Sequence, residues 1–130
     1  MDYKMDCSGE IKKFLDFLNR AENFYTFCKE NQRNEENLTQ DLLHKIELEN
    51  LSRSELSKMM TKLKTCRKER RYFKDRCEEL EDLIELLSDS QGQSFENKLK
   101  NVLGQVRKNE NYHKSRTYIP KVLKEGEEKR

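Results

Sequence analysis

Apolar residues in this chain return every three and four positions, and the longest unbroken instance runs from Ser52 to Ser88. Set in heptads, its a positions are Leu56, Leu63, Arg70, Cys77 and Ile84, and its d positions are Met59, Cys66, Phe73, Leu80 and Leu87. Arg70 alone among them is neither apolar nor Cys. A 3.5-residue repeat held this long, with no Pro or Gly inside it, predicts one rod over about 53–88, the pattern of a coiled coil or long bundle helix. At 1.5 Å per residue the rod is roughly 50 Å long. Ser52 and Glu55 stand three apart at its start, the spacing of a capping box. A single helix cannot bury such a stripe, so the rest of the chain, a second copy or a partner must cover it.

The flanking segments read as shorter helices. Ile11, Phe14, Leu15, Leu18, Ala21, Tyr25 and Cys28 advance by three and four, which predicts a helix over about 9–29 capped by Ser8. Phe17, Phe24 and Phe27 fall beside that stripe and broaden it; core burial is the expectation for them, an outside partner the alternative. Residues 30–37, ENQRNEEN, carry no apolar anchor and read as a loop or frayed end, though nothing in them forbids a continuous helix. Leu38, Leu42, Leu43, Ile46 and Leu48 then predict a helix over about 38–49. LENLS at 48–52 reads as a tight connection, which favours antiparallel neighbours. SDSQGQS at 88–94 reads as a linker, and Ser94 as the cap of a helix over about 94–113 that carries Phe95, Leu99, Val102, Leu103 and Val106. Gly104 weakens that helix locally. Pro120 makes the residues before it extended or turn-like, so the tail, 114–130, is expected to be partly extended. The fold class these elements predict is all-α: one domain over 1–130, an elongated helical bundle or coiled-coil hairpin built on the central helix at 53–88.

Composition narrows the picture. Charged residues are 40% of the chain and hydrophobic ones 33%, values that suit either a disordered chain or a long-helix protein. The sustained periodicity selects the second. The N-terminus has no apolar h-region and no apolar run approaches membrane-spanning length, so a cytoplasmic location and no membrane contact are expected. Cys7, Cys28, Cys66 and Cys77 form no CxxC pair. Cys66 and Cys77 lie about 16 Å apart along one helix, too far to bridge within it. Two antiparallel copies would allow a bridge, but in a reducing compartment small core residues are the plainer reading.

Net charge hides a strong segregation. Residues 1–49 hold 7 basic and 11 acidic side chains, and 50–76 hold 10 and 3. Residues 77–97 hold none and 7, and 98–130 hold 10 and 4. The rod is therefore basic in its first half and acidic in its second, which fits an antiparallel second copy, a homodimer, or the basic tail laid along the acidic half. Within the basic half, Arg67, Lys68, Arg71 and Lys74 are candidates for pairing with carboxylates or phosphates of a partner, joined by Arg107, Lys108 and Arg116 near the C-terminus. Tyr72 and Phe73 interleave with the first group, which keeps nucleic acid open as a partner beside protein. A solvated face with intramolecular ion pairs is the bland alternative. Arg70, on the seam, needs a carboxylate partner and reads as a register device.

Catalytic signals are absent from the sequence. Asp41 with His44 and Glu110 with His113 have the carboxylate-x-x-His spacing of a di-iron bundle, but one starts with Asp and the other sits at a helix end, so no metal site is expected. No HExxH, phosphate-cradling Gly loop or Ser-His-Asp order occurs. The reading is a non-enzyme without cofactors. The tail motif YHKSRTY, 112–118, suits an acidic surface, the acidic half of the rod first of all.

Three segments together, TQDLLHKIELE at 39–49, LKTCRKERRYFKD at 63–75 and VLGQVRKNENYHKSRTYIPKVLKE at 102–125, resemble small helical proteins encoded by phages and prophages of Gram-positive bacteria. The resemblance implies a non-enzymatic accessory protein in the host cytoplasm that binds a host or phage macromolecule, as an anti-CRISPR protein inhibits a defence nuclease complex. The alternative it leaves is a nucleic-acid-binding accessory protein in phage replication, recombination or transcription. It assigns no site residues.

Overall fold

In the computed structural model, which describes residues 4–117 and Val122, the chain is three α-helices and no strand among the described residues. The helices are α1 (Cys7–Leu48), α2 (Arg53–Ser88) and α3 (Ser90–Ser115). The extended tail expected around Pro120 and the polar end after Val122 lie outside the described residues.

Helix α2 forms where the heptads predict it. Ser52 caps it, its hydroxyl accepting from the Glu55 N–H at 3.1 Å. Every seam position from Met59 to Leu87 is buried or half-buried, and only Leu56 is left exposed at the open end. The tight connection at 48–52 is also as expected, and α1 and α2 lie antiparallel. Leu42 packs with Met59, Glu36 reaches Arg70, and Phe27 meets Phe73.

The first helix differs from the expectation. Instead of two helices at 9–29 and 38–49 joined by a loop, one 42-residue helix runs through 30–37. The polar stretch stays helical because its seam is polar as well. Gln32 and Thr39 continue the seven-residue row 25–32–39–46, and Glu35 continues the row 28–35–42 with Glu36 beside it. They face the part of α2 that carries Cys66 and Arg70. Thr39 is buried with its hydroxyl donating to the Glu35 carbonyl at 2.8 Å, and Gln32 donates to Glu36 at 3.3 Å. The N-cap is Asp6, whose carboxylate accepts from the Gly9 N–H at 3.2 Å; Ser8 lies inside the helix.

The expected linker at 88–94 shrinks to one residue. Asp89 alone is extended, ends α2 and caps α3, its carboxylate accepting from the Gly92 N–H at 2.6 Å. Helix α3 therefore starts at Ser90, four residues before Ser94, and runs to Ser115. Gly92 serves close approach here: a Cβ on it would run into the Leu86 carbonyl and the Leu87 backbone. Helix α3 then follows the N-terminal part of α1. Lys12, Leu15, Asn19 and Glu22 share a cleft with Glu96, Lys100, Leu103 and Arg107, and the Ser8 N–H donates to Glu110 at 3.3 Å. Helix α1, at roughly 63 Å, is the longest element. Each pair of helices touches, so the core is shared three ways.

That core is a narrow file of Leu18, Ala21, Cys28, Leu42, Met59, Cys66, Cys77, Leu87 and Leu103. The seam cysteines are small core residues, with free thiols.

Candidate functional site

Helix α2 carries two unlike surfaces on either side of its seam. On one, Lys64, Arg67, Lys68, Arg70 and Arg71 line a shallow recess of about 370 Å³. Spacings of three and four put Lys64, Arg67, Lys68 and Arg71 on one helical sector. All four are exposed, and none makes an ion pair among the described residues, in contrast to the intramolecular pairing that the sequence also allows. Lys74 extends the sector by one turn and is half-buried.

Arg70 behaves differently from its neighbours. Its Nε donates to Glu36 Oε1 at 3.0 Å across the α1–α2 seam, with 20% of the Arg70 side chain exposed. That bond and the one from Gln32 hold the Glu36 carboxyl below its usual range. Arg70 is thus the partnered seam cation that its heptad position requires, lining the recess while its charge is engaged by Glu36.

The other surface is aromatic. Phe24 lies 6.3 Å from Phe27, Phe27 lies 5.9 Å from Phe73 edge-on, and Phe73 lies 5.5 Å from Tyr72, centroid to centroid. Arg76 covers Tyr72 at 4.8 Å and holds Glu79 through two 2.7 Å bonds, which raise the affinity of its guanidinium for its proton. Beyond this chain of rings, Phe14, Leu18, Leu83, Leu86, Leu87, Gly92 and Phe95 line an apolar groove of about 350 Å³ where α2 gives way to α3.

The core burial expected for Phe17, Phe24 and Phe27 is not found. They stay 45%, 38% and 51% exposed, because α2 takes the neighbouring rows through Leu18, Ala21, Tyr25 and Cys28. Their spacing of seven and three, offset by one from the core row, is the signal that marked them as a second stripe.

The aromatics interleaved with the basic block in sequence are separated from it in space. Phe73 is turned into the seam, and Tyr72 lies roughly a quarter-turn round the helix from the centre of the cationic sector, packed on Phe73 and under Arg76. The C-terminal group is not brought to the patch either. Arg107, Lys108 and Arg116 are exposed, but Arg107 lies beside Lys12, whereas the patch lies opposite Glu36. Those two points on α1 are about 36 Å apart along its axis. The expected pairing of the tail motif with the acidic half of α2 is not found among its described residues, 112–117: α3 carries them past Ser8 at the N-terminus of α1, and none is in an ion pair.

Burial pushes the Cys28, Cys66 and Cys77 thiols up, and Cys77 beside Cys28 adds to the rise at Cys28. The two carboxylate-x-x-His pairs occupy opposite ends of α1: Asp41 and His44 near its C-terminus, Glu110 and His113 over its N-terminus. Among the described residues no three His, Cys, Asp or Glu gather as a metal site, and no helix is long and apolar enough to cross a membrane.

Comparison with protein-family models, with curated proteins and with solved structures finds no match to this chain.

Proposed function

We propose that the protein is a non-enzymatic binding module in which α2 is the working spine and its cationic sector docks an acidic surface of a protein partner. What supports this is the patch of Lys64, Arg67, Lys68 and Arg71, four cations on one sector, none of them in an ion pair among the described residues. Holding like charges together unpaired raises the energy of the free chain, and an anionic surface relieves it. Guanidinium groups in such an array suit carboxylates in bidentate geometry. The likeness to phage and prophage accessory proteins extends the reading to a partner in the infected bacterial cytoplasm, with a host defence nuclease complex as the candidate target.

Protein is favoured over nucleic acid by the layout. The patch spans about two helical turns, with acidic Glu78, Glu79, Glu81, Asp82 and Glu85 next along the same helix. The second cationic group lies about 36 Å off, so a duplex following the rod would cross a repulsive stretch. No ring of the described residues stands among the patch cations to stack on a base.

The test pairs two measurements on one variant, Lys64→Glu, Arg67→Glu, Lys68→Glu, Arg71→Glu. Bait protein retained from lysate of a phage-infected Gram-positive host is expected to carry a partner that the variant loses, while duplex DNA is bound weakly by both. Tight DNA binding by the wild type that weakens linearly in log salt and vanishes in the variant would turn the reading to nucleic acid.

A further inference from the structure

We propose that the aromatic surface on the other side of the seam is where a second copy of this chain packs, related by a two-fold axis parallel to the helices. This goes beyond the reading of the cationic patch and does not depend on it. The surface is continuous across both helices of the hairpin. At one end the rings of Phe24, Phe27, Phe73 and Tyr72 touch in series, and at the other Phe14, Leu83, Leu86 and Phe95 line the groove. Leu86 is 60% exposed and Phe95 54%, so the stripe is unfinished as it stands.

Its size suits a dimer. From Tyr72 to Leu86 and on to Phe95 the stripe runs roughly 25 Å along the helices, and two helices side by side present about 20 Å of width. That footprint of about 500 Å², before side chains interdigitate, is the larger part of the roughly 800 Å² per partner of a stable interface.

Charge selects both the occupant and the axis. Near the groove, α1 carries Arg20 on this side, while Asp82 lies on the outer edge of α2, in the row of Lys68 and next to that of Tyr72 and Leu86. Toward the hairpin end the signs exchange: α1 carries Asp41, and α2 carries Lys58 and Lys62. A two-fold axis along the helices lays α1 of each copy over α2 of the other at the same level. Arg20 then faces Asp82, Asp41 faces Lys62 with Lys58 one turn beyond, and symmetry repeats both matches. Of the other charges on this side, Lys13 pairs with Glu10, Lys45 with Glu49 and Glu79 with Arg76, and Glu69, in the row of Lys62, falls level with the uncharged Asn34 of the opposing α1. Arg20, Asp82, Asp41, Lys58 and Lys62 have no ion pair among the described residues. An axis across the helices, centred on the apolar stripe near Arg20, would instead set Arg20 against its own copy. The chosen packing places Phe24 and Phe27 over Tyr72 and Phe73 of the second copy, and Phe14 and Phe17 over its Leu83 and Leu86. It leaves both cationic patches open.

Sedimentation velocity on the full chain from micromolar to millimolar concentration tests this. A species of twice the chain mass is expected, with Phe24→Glu and Leu86→Glu each weakening association by about 100-fold or more while circular dichroism stays helical. Arg20→Glu and Asp82→Arg are expected to cost about 10-fold each, and the double reversal to restore the dimer, a rescue that a folding defect would not show. A wild-type chain that stays monomeric at millimolar concentration overturns the proposal. So does a dimer indifferent to Phe24→Glu and Leu86→Glu, and a failed rescue overturns the axis.

Discussion

Between Met59 and Arg70 the seam of α2 is filled by Met59, Leu63, Cys66 and finally a cation, and the α1 residues across from it include Thr39 and Glu36. Between Phe73 and Leu87 the seam is Phe73, Cys77, Leu80, Ile84 and Leu87, and apolar side chains overflow it on to the surface. The heptads are the same in both halves, so periodicity does not distinguish them. The first half needs α1 to supply hydrogen bonds as well as bulk, and its outer face is free for cations. The second half has more apolar surface than one α1 can cover. A repeated seam sets how two helices pair, while the residues flanking it decide what else the pair can hold.

The strongest way to break this comparison is to empty the seam in the half where it is thin. Leu42→Ala is expected to cost about 3 kcal/mol in urea unfolding, since Leu42 is buried in a cluster with Met59 and Cys66 against which Ile46, Leu51 and Leu63 pack. Leu86→Ala, at an exposed position, is expected to cost under about 1 kcal/mol in the isolated chain. Equal costs for the two would mean that the halves do not differ as described.

Gly92→Ala attacks the junction at the apolar end. Its methyl would meet backbone, which cannot swing aside, so a loss of about 2 kcal/mol is expected. Crosslinks between α1 and α3 should weaken in step. Gly104 is the control within the same helix. Nothing lies within 4 Å of a Cβ there, so Gly104→Ala is expected to stabilise by about 0.5 to 1 kcal/mol through helix propensity.

The smallest effect concerns the polar half. Glu36 is held below its ordinary value of 4.5 by the Arg70 bond first and the Gln32 bond second. Its contribution is therefore complete above the ordinary carboxylate value and is lost as pH falls through the lower, folded one. With the Glu36 side chain 41% exposed, solvent screening keeps this under about 1 kcal/mol. Melting from pH 6 down to pH 3 should show the wild type losing slightly more than Glu36→Gln; parallel curves would remove the pair from the account.

Much of the fold is legible in the heptads. The α2 boundaries, the Ser52 cap, the antiparallel connection and the need of Arg70 for a carboxylate all follow from local rules: seven-residue spacing, a hydroxyl before the first turn, a charge on a seam. Residues 30–37 escape those rules because hydrophobic periodicity cannot see a polar seam, although Gln32, Glu35 and Thr39 keep the register. SDSQGQS misleads because Gly marks flexible loops and close backbone approach with the same letter. Only the packing of Gly92 on Leu86 separates the two.

For the candidate site, the cations of the patch can be named from sequence, whereas their isolation from the other candidates cannot. Arg67, Lys68 and Arg71 stand together because three- and four-residue spacing is intrinsic to a helix, and no tertiary contact is needed to predict it. That Arg107 lies about 36 Å away, that Tyr72 turns from the patch, and that Phe17, Phe24 and Phe27 are left uncovered depend on which row of α1 meets α2. Local spacing determines the faces of each helix by itself. Which faces are consumed by packing, and which remain for partners, depends on contacts between residues distant in sequence, and so only the tertiary structure decides it.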